Sequence, residues 1–143
     1  MLVRLMYASR AVPAVDQEEL LVILKKSKAN NPKLGITGVL CMCFDARVFM
    51  QVLEGGRSAV NQLYTRIAID PRHSDVELLA YEEIGERRFA GWSMGQVNMA
   101  RLNPAILLKY SECARLDPFS VSGKASVALF DELVATAAVM GQG

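Results

Sequence analysis

The chain has 143 residues, 52% of them hydrophobic and 22% charged, a globular balance that excludes a disordered chain and two full domains. Lys plus Arg is 16 and Asp plus Glu is 15, giving a net charge of +1, so no global field draws the chain to nucleic acid or to an anionic membrane. A chain of this size buries roughly two-thirds of its unfolded surface and folds without needing a metal or a disulfide.

Residues 2–9 are short and apolar and end before a Pro13 loop, which predicts a first strand. Asp16 followed by Glu19 has the form of a capping box, and Leu20, Ile23, Leu24 and Ser27 then repeat as one face of a helix. Asn30-Asn31-Pro32 is expected to stop that helix, because proline disfavours helical geometry at the preceding residue. Gly35 to Gly38 leads into a strand through Cys43, Asp45-Ala46-Arg47 makes a hairpin turn, and residues 48–54 return as a strand closed by Gly55-Gly56. Val60, Leu63 and Ile67 mark a second helix over 58–70, ended by Pro71. Residues 75–83 and, after Arg87-Arg88-Phe89, residues 92–97 read as two further strands.

The order β-α-β-β-α-β-β predicts an α+β, ferredoxin-like sandwich: a five-stranded mixed sheet with two helices on one face. Residues 1–98 form that domain. Residues 99–143 are a helical extension, two helices split by Asp117-Pro118, and not a second domain. In the last of them Val127, Phe130, Val134 and Ala137 make an apolar stripe widened by Leu129 and Leu133. It is expected to cover the sheet face on which Leu2, Arg4, Met6, Val48, Met50 and Val52 lie, and to leave apolar surface for a homo-oligomer.

The cysteines, Cys41, Cys43 and Cys113, are odd in number, and Cys41-Met42-Cys43 is neither a CxxC pair nor a zinc half-site. Cys41 and Cys43 alternate on a strand and read as small apolar packing groups. The first residues lack a signal-peptide pattern, and no run approaches the ~20 apolar residues of a membrane span. A reduced, cytoplasmic protein is the expectation.

The informative residues are polar groups on faces that should be apolar. Val3, Leu5, Tyr7 and Ser9 share one strand face, as do Phe49, Gln51 and Leu53. A buried glutamine amide needs partners, since leaving it unsatisfied costs roughly 1–3 kcal/mol. Arg66 and Asp70 border the apolar stripe of the second helix and are spaced for an i, i+4 pair. Each has an ordinary alternative: a core tyrosine with its hydroxyl at the surface, a glutamine on an exposed face, a surface ion pair, turn asparagines at Asn30 and Asn31, and a Ser27 hydroxyl bonded back to its own helix.

Arg4-Leu-Met-Tyr7-Ala-Ser9, Asn30-Asn-Pro-Lys-Leu-Gly-Ile-Thr-Gly38, Phe49-Met-Gln51-Val-Leu-Glu-Gly55, Asp70-Pro-Arg-His73 and Phe89-Ala-Gly-Trp-Ser-Met94 closely resemble the BLUF family of blue-light sensors that use flavin. The blocks run in order from about residue 2 to 97, and the tail is similar to that of short members without a fused enzyme. The resemblance implies a flavin held between the two helices: FAD, with FMN and riboflavin left open by ring contacts common to all three. It implies that Tyr7 is the light-active tyrosine and Gln51 the glutamine bridging it to the flavin. Asn31, with Asn30 beside it, matches the asparagine on the ring's carbonyl and imide side. Ser27, Arg66 and Asp70 match other polar positions, Asp70 orienting Arg66 or binding the ribityl chain. Ile23 and Ile67 are placed to sandwich the ring, and Trp92 and Met94 match the last-strand pair near the glutamine. His73 reads as a surface cation at the helix C-terminus, with a contact to the flavin tail as the alternative.

The implied cycle turns over no substrate. Tyr7 gives an electron and a proton to the excited flavin, the pair recombines, and Gln51 is left rearranged, so that absorption shifts slightly red. Trp92 and Met94 pass the change to the tail and on to an unidentified effector protein. Two rivals stand beside this reading. A ferredoxin-like hydrolase needs a glycine-rich loop and following arginine near the first strand, which are missing. An interaction module or flavin binder without photochemistry has no use for both Tyr7 and Gln51.

Overall fold

The computed structural model describes residues 1–98, 102–136 and 139–140. Strand β1 (Leu2–Ala11) runs into helix α1 (Gln17–Leu34). Strands β2 (Thr37–Cys43) and β3 (Val48–Gly56) form the hairpin, and helix α2 (Arg57–Ala68) leads to strand β4 (His73–Ile84) and the short strand β5 (Gly95–Val97). Helices α3 (Pro104–Tyr110) and α4 (Gly123–Ala135) and a two-residue strand β6 (Val139–Met140) complete the described chain. The sheet order is β4-β1-β3-β2-β5-β6. The β2–β5 pairing is parallel and the others are antiparallel. The five expected strands are therefore present, and the tail adds β6 beside β5.

Both faces of the sheet's central strands, β1, β3 and β2, are buried, whereas the edge strand β4 is largely exposed. Odd positions of β1 and β3, among them Val3, Leu5, Tyr7, Phe49 and Leu53, pack with Leu20, Leu24 and Val60 from α1 and α2. Even positions, Met6, Ala8, Val48, Met50 and Val52, pack with Leu107, Leu116, Leu129, Phe130 and Leu133 from the tail. Strand alternation thus makes two cores from the same strands. The tail does cover the face opposite the first two helices. Val127 packs at that core's margin; the side chain of Val134 and the whole of Ala137 lie outside the described residues.

Three local expectations change. Helix α1 does not stop at Pro32 but runs through it to Leu34. In the last turn a proline removes only one intrahelical donor. The end is made instead by Gly35, at φ 67°, with Gly35 N bonding Pro32 O at 3.2 Å and Ile36 N bonding Asn31 O at 2.9 Å, the two bonds of a Schellman motif. Asn31 therefore stands on a rigid helical turn. Second, Trp92 and Met94 lie before β5, which begins only at Gly95. Third, His73 opens β4 and is half-buried rather than at the surface.

Asp16 caps α1 by accepting the Glu19 amide at 2.9 Å, as its spacing predicts. In β4 the register shifts beside the Met6–Tyr7 step, where Leu79 is an extra residue, a bulge of the kind found next to sites. The start of α4 lies against that bulge so closely that a Cβ on Gly123 would sit 1.7 Å from the Leu79 carbonyl oxygen. Only glycine fits there. Among the described residues no helix is long and apolar enough to cross a membrane.

Candidate functional site

Between α1 and α2, on the odd face of the sheet, lies a cavity of about 200 Å³ lined by Tyr7, Ile23, Lys26, Ser27, Asn31, Leu40, Phe49, Gln51, Leu63, Arg66, Ile67, Asp70, Arg72 and His73. Its volume is several times the roughly 30 Å³ share of a water, so it is no packing defect. Tyr7 and Gln51 are cross-strand partners, and both side chains stand on its floor. The Tyr7 hydroxyl donates to Gln51 Oε1 at 2.5 Å. Gln51 Nε2 in turn donates to Met94 Sδ at 3.2 Å, and a thioether is a weak acceptor. Gln51 is 6% exposed, which removes the exposed-face alternative.

Met94 is thus turned inward, wholly buried on the cavity side. Trp92 is not: it packs at the margin of the opposite core, and its indole Nε1 is buried without a hydrogen-bond partner among the described residues. Asn31, also buried, donates from Nδ2 to Ser93 O at 2.7 Å. Two side chains from β3 and α1 therefore hold the 93–94 segment.

Burial holds the Tyr7 phenol well above its ordinary pKa, with Tyr64 and Asp70 raising it further. The hydroxyl is consequently a neutral donor in the resting site. His73 bonds on both ring nitrogens: Nε2 meets the Ile67 carbonyl, and Nδ1 lies 2.7 Å from Ser9 Oγ. A carbonyl only accepts, so Nε2 carries the hydrogen; in the neutral ring Nδ1 then accepts from the serine hydroxyl. The ring stands edge-on to Tyr7, at 6.2 Å between centroids, and to Phe49, at 6.1 Å.

The expected Arg66–Asp70 pair is absent. Asp70 follows the end of α2 and instead binds the Arg72 guanidinium through both oxygens, with contacts of 2.5 to 3.1 Å. Arg72 also approaches Glu19 of α1 at 3.6 Å. The Arg72 hydrogen bonds hold the Asp70 carboxyl below its usual range, against a partial opposing effect of burial. Asp70 is therefore not the group that orients Arg66, whose exposed side chain borders the cavity and an adjoining groove of about 370 Å³. That groove is lined by Lys26, Ser27, Asn30, Asn31, Lys33, Leu34, Leu63 and Arg66, and it is where the exposed Asn30 lies.

The structure thus brings Tyr7, Gln51, Asn31, Ser27, Arg66, Asp70, Ile23 and Ile67 to one cavity, with Met94 behind Gln51 and Trp92 elsewhere. Sequence reasoning left out Lys26, Leu40, Leu63, Phe49 and Arg72 as lining residues. Phe49 and Leu63 already lay on the right face or stripe. Leu40 is read only from its pairing with Gln51, and Arg72 only from the turn that brings it back over the helix end.

The family model for BLUF, sensors of blue-light using FAD, matches residues 2–95. The chain belongs to the BLUF family. It is 35% identical over 94 residues to the photoactivated adenylate cyclase subunit beta of Euglena longa, and 36% identical over 86 residues to the subunit alpha of Euglena gracilis. Those matches cover 65% and 60% of this chain and only 11% and 8% of the relatives, so the chain spans a small part of their length. The photo-activated state of BlsA superimposes with a TM-score of 0.83 at 28% identity, covering 100% of this chain and 99% of that one. The dark state of BlrB, a BLUF protein, gives 0.74 at 32% identity, covering 95% and 96%. This BLUF chain accordingly carries the fold of a family described as sensors of blue light using FAD.

The residues present fit a flavin. The cavity joins apolar walls, Ile23, Leu63 and Ile67, to buried carboxamides at Gln51 and Asn31 and to cations at Lys26, Arg66 and Arg72. A flat apolar ring system with carbonyl, imide and phosphate groups uses all three kinds of group.

Proposed function

We propose that this BLUF chain is a blue-light receptor whose resting state is the Tyr7–Gln51–Met94 hydrogen-bond chain. That chain, at the floor of the cavity, is the single observation that carries the reading. Ile23 and Ile67 hold the ring, Asn31 and Ser27 bind its polar edge, and Arg66 and Arg72 offset the charge of its tail. A bound flavin supplies blue-light absorption and an excited state that accepts an electron. FAD is the form we propose, the flavin in the family's description, and the cations at the cavity mouth and in the adjoining groove suit its phosphates as they would the phosphate of FMN.

The rest is work for this chain's own side chains. Tyr7 would give an electron and then its hydroxyl proton to the bound flavin, which removes the donor that fixes Gln51 Oε1, and would take both back by recombination once the amide has turned, so that nothing is oxidised overall. Gln51 has donor and acceptor on one planar group, so losing that partner releases it to turn or tautomerise. The turned amide gives up Met94 Sδ. Exchanging one buried hydrogen bond of this kind is worth about 1 kcal/mol, enough to bias a two-state element by several-fold.

Output passes to a partner protein, and the tail is the part of the chain that meets it. We propose further that the chain works in the cytoplasm and assembles as a homo-oligomer whose contacts change with light, Leu108 being left exposed on α3. The test is a pair of measurements on the purified protein. A light-minus-dark spectrum shows a reversible red shift, and its absence removes the receptor reading. Size in dark and light shows an assembly, and a monomer in both removes the oligomer.

A further inference from the structure

On the tail side of the sheet one charged group is wholly enclosed. Glu54 is 0% exposed and lies three residues along β3 from Gln51, hence on the opposite face. Each of its carboxylate oxygens takes one of two consecutive backbone amides: Phe89 N on Oε1 at 2.7 Å and Arg88 N on Oε2 at 3.1 Å. Arg4 of β1 supplies the balancing charge, with Nε and Nη2 both 2.7 Å from Oε2, while its Nη1 reaches Glu82 of β4 at 2.9 Å. A buried ion pair is a weak source of stability, since apolar residues of the same volume often do as well. Two consecutive amides held by one carboxylate do something an apolar pair cannot, which is to fix a peptide in place.

The segment so fixed runs from the clamp to the site. Phe89 O accepts Trp92 N at 3.1 Å, and Trp92 O accepts Gly38 N at 2.9 Å. Ser93 O is held by Asn31 and Met94 Sδ by Gln51. At the other end the Arg88 guanidinium is ion-paired with Asp131 of α4, next to the buried Phe130.

We propose that Glu54 is a positioning residue, the fulcrum of a lever formed by residues 88–94, and that the Arg88–Asp131 pair delivers the lever's motion to α4. The proposal rests on the receptor reading above. When Gln51 releases Met94, the site end of the segment loses its last tie and keeps only those at Trp92 O and Ser93 O, while the clamped end keeps all of its own. Displacement at Met94 then turns the segment about residues 88–89 and swings the Arg88 side chain, which carries Asp131 with it. Without the pair, the same displacement is absorbed in the loop.

Hydrogen exchange across residues 123–135, measured in dark and light on the full-length flavin-loaded protein, tests this. In the wild type, illumination is expected to change the exchange rate of α4 by roughly threefold or more, within the range of network couplings. Arg88→Gln and Asp131→Asn, both at half-exposed surface positions, are expected to keep the full red shift and lose the light dependence of α4. Asp131→Glu keeps the carboxylate and is expected to keep both. Glu54→Gln is expected to lose the α4 response with the red shift retained; should it fail to fold, the two surface variants still decide. A red shift with an α4 indifferent to light, or an α4 response unchanged in Arg88→Gln, overturns the lever alone. A wild type with no red shift overturns the receptor reading, and the lever with it.

Discussion

The two faces of β3 treat their polar groups in opposite ways. On the α1–α2 face Gln51 spends its amide hydrogens on a thioether, a poor acceptor, and borders a cavity. On the tail face Glu54 is closed off in full by Arg4 and two backbone amides. The half-satisfied group is free to change partners and the saturated one is not. Period-two alternation sets a responsive group and a fixed one three residues apart on a single strand, so rearrangement on one side has rigid structure to act against on the other.

Tyr7→Phe should give the largest effect. The ring still packs, so flavin stays bound, but the donor to Gln51 Oε1 is gone and the light-induced shift is lost altogether. Gln51→Leu is expected to do the same, as no amide remains to rearrange. A normal light-minus-dark spectrum in either variant would place the responsive group elsewhere.

The tail face predicts a loss of a different kind. Phe130→Ala removes a ring that is 1% exposed in that core, and such truncations destabilise by about 3–5 kcal/mol. Denaturant midpoints should register this, while the molecules that remain folded keep their flavin and their spectral shift. Loss of the shift at unchanged stability would contradict the division of labour between the faces.

A smaller effect is expected at the cavity wall. Asn31→Ala removes an amide that faces the cavity and holds Ser93 O, and Arg66→Ala removes a cation at its rim. Both should weaken flavin retention and lower the melting temperature through lost ligand linkage, by about 1.4 kcal/mol for each tenfold of affinity at saturating flavin. Full occupancy in both variants would mean that the ligand contacts lie on other residues.

Much of this contrast is legible in the sequence, because strand alternation is. Odd positions put Tyr7 and Gln51 on one face, even positions put Arg4 and Met6 on the other, and the stripe with Phe130 calls for a cover. What does not show is anything set by a turn. Pro32 reads as a stop, yet the helix end is decided by the backbone freedom of Gly35, three residues later. Trp92 and Met94 read as strand neighbours on one face, but they precede β5 in a turn that sends them to opposite cores. Asp70 and Arg66 have helical spacing, but α2 ends at Ala68, and a two-residue return gives Asp70 to Arg72. The role of Glu54 is invisible for the same reason: its pairing with Arg4 follows from strand register, but the two amides it clamps belong to a loop and carry no periodic signature.

The Asp70–Arg72 pair gives the smallest effect, and its sign can be worked out. The carboxyl is held below its ordinary range in the folded chain, chiefly by hydrogen bonds from Arg72. A group depressed on folding contributes stability that is complete above its unfolded pKa, near 3.9, and is lost as pH falls through the folded value. Both side chains are partly exposed, at 25% and 35%, so solvent screening keeps the contribution at or below about 1 kcal/mol. Asp70→Asn should therefore lie slightly below the wild type in urea midpoint at pH 7, and the two curves should converge as pH falls below about 4. Arg72 also faces Glu19 across the helix ends, so it keeps one carboxylate neighbour in the variant and the loss stays partial. Curves that run parallel down to pH 3 would show that the pair has no titrating share in stability, and that Arg72 is held by its other neighbours, Glu19 among them.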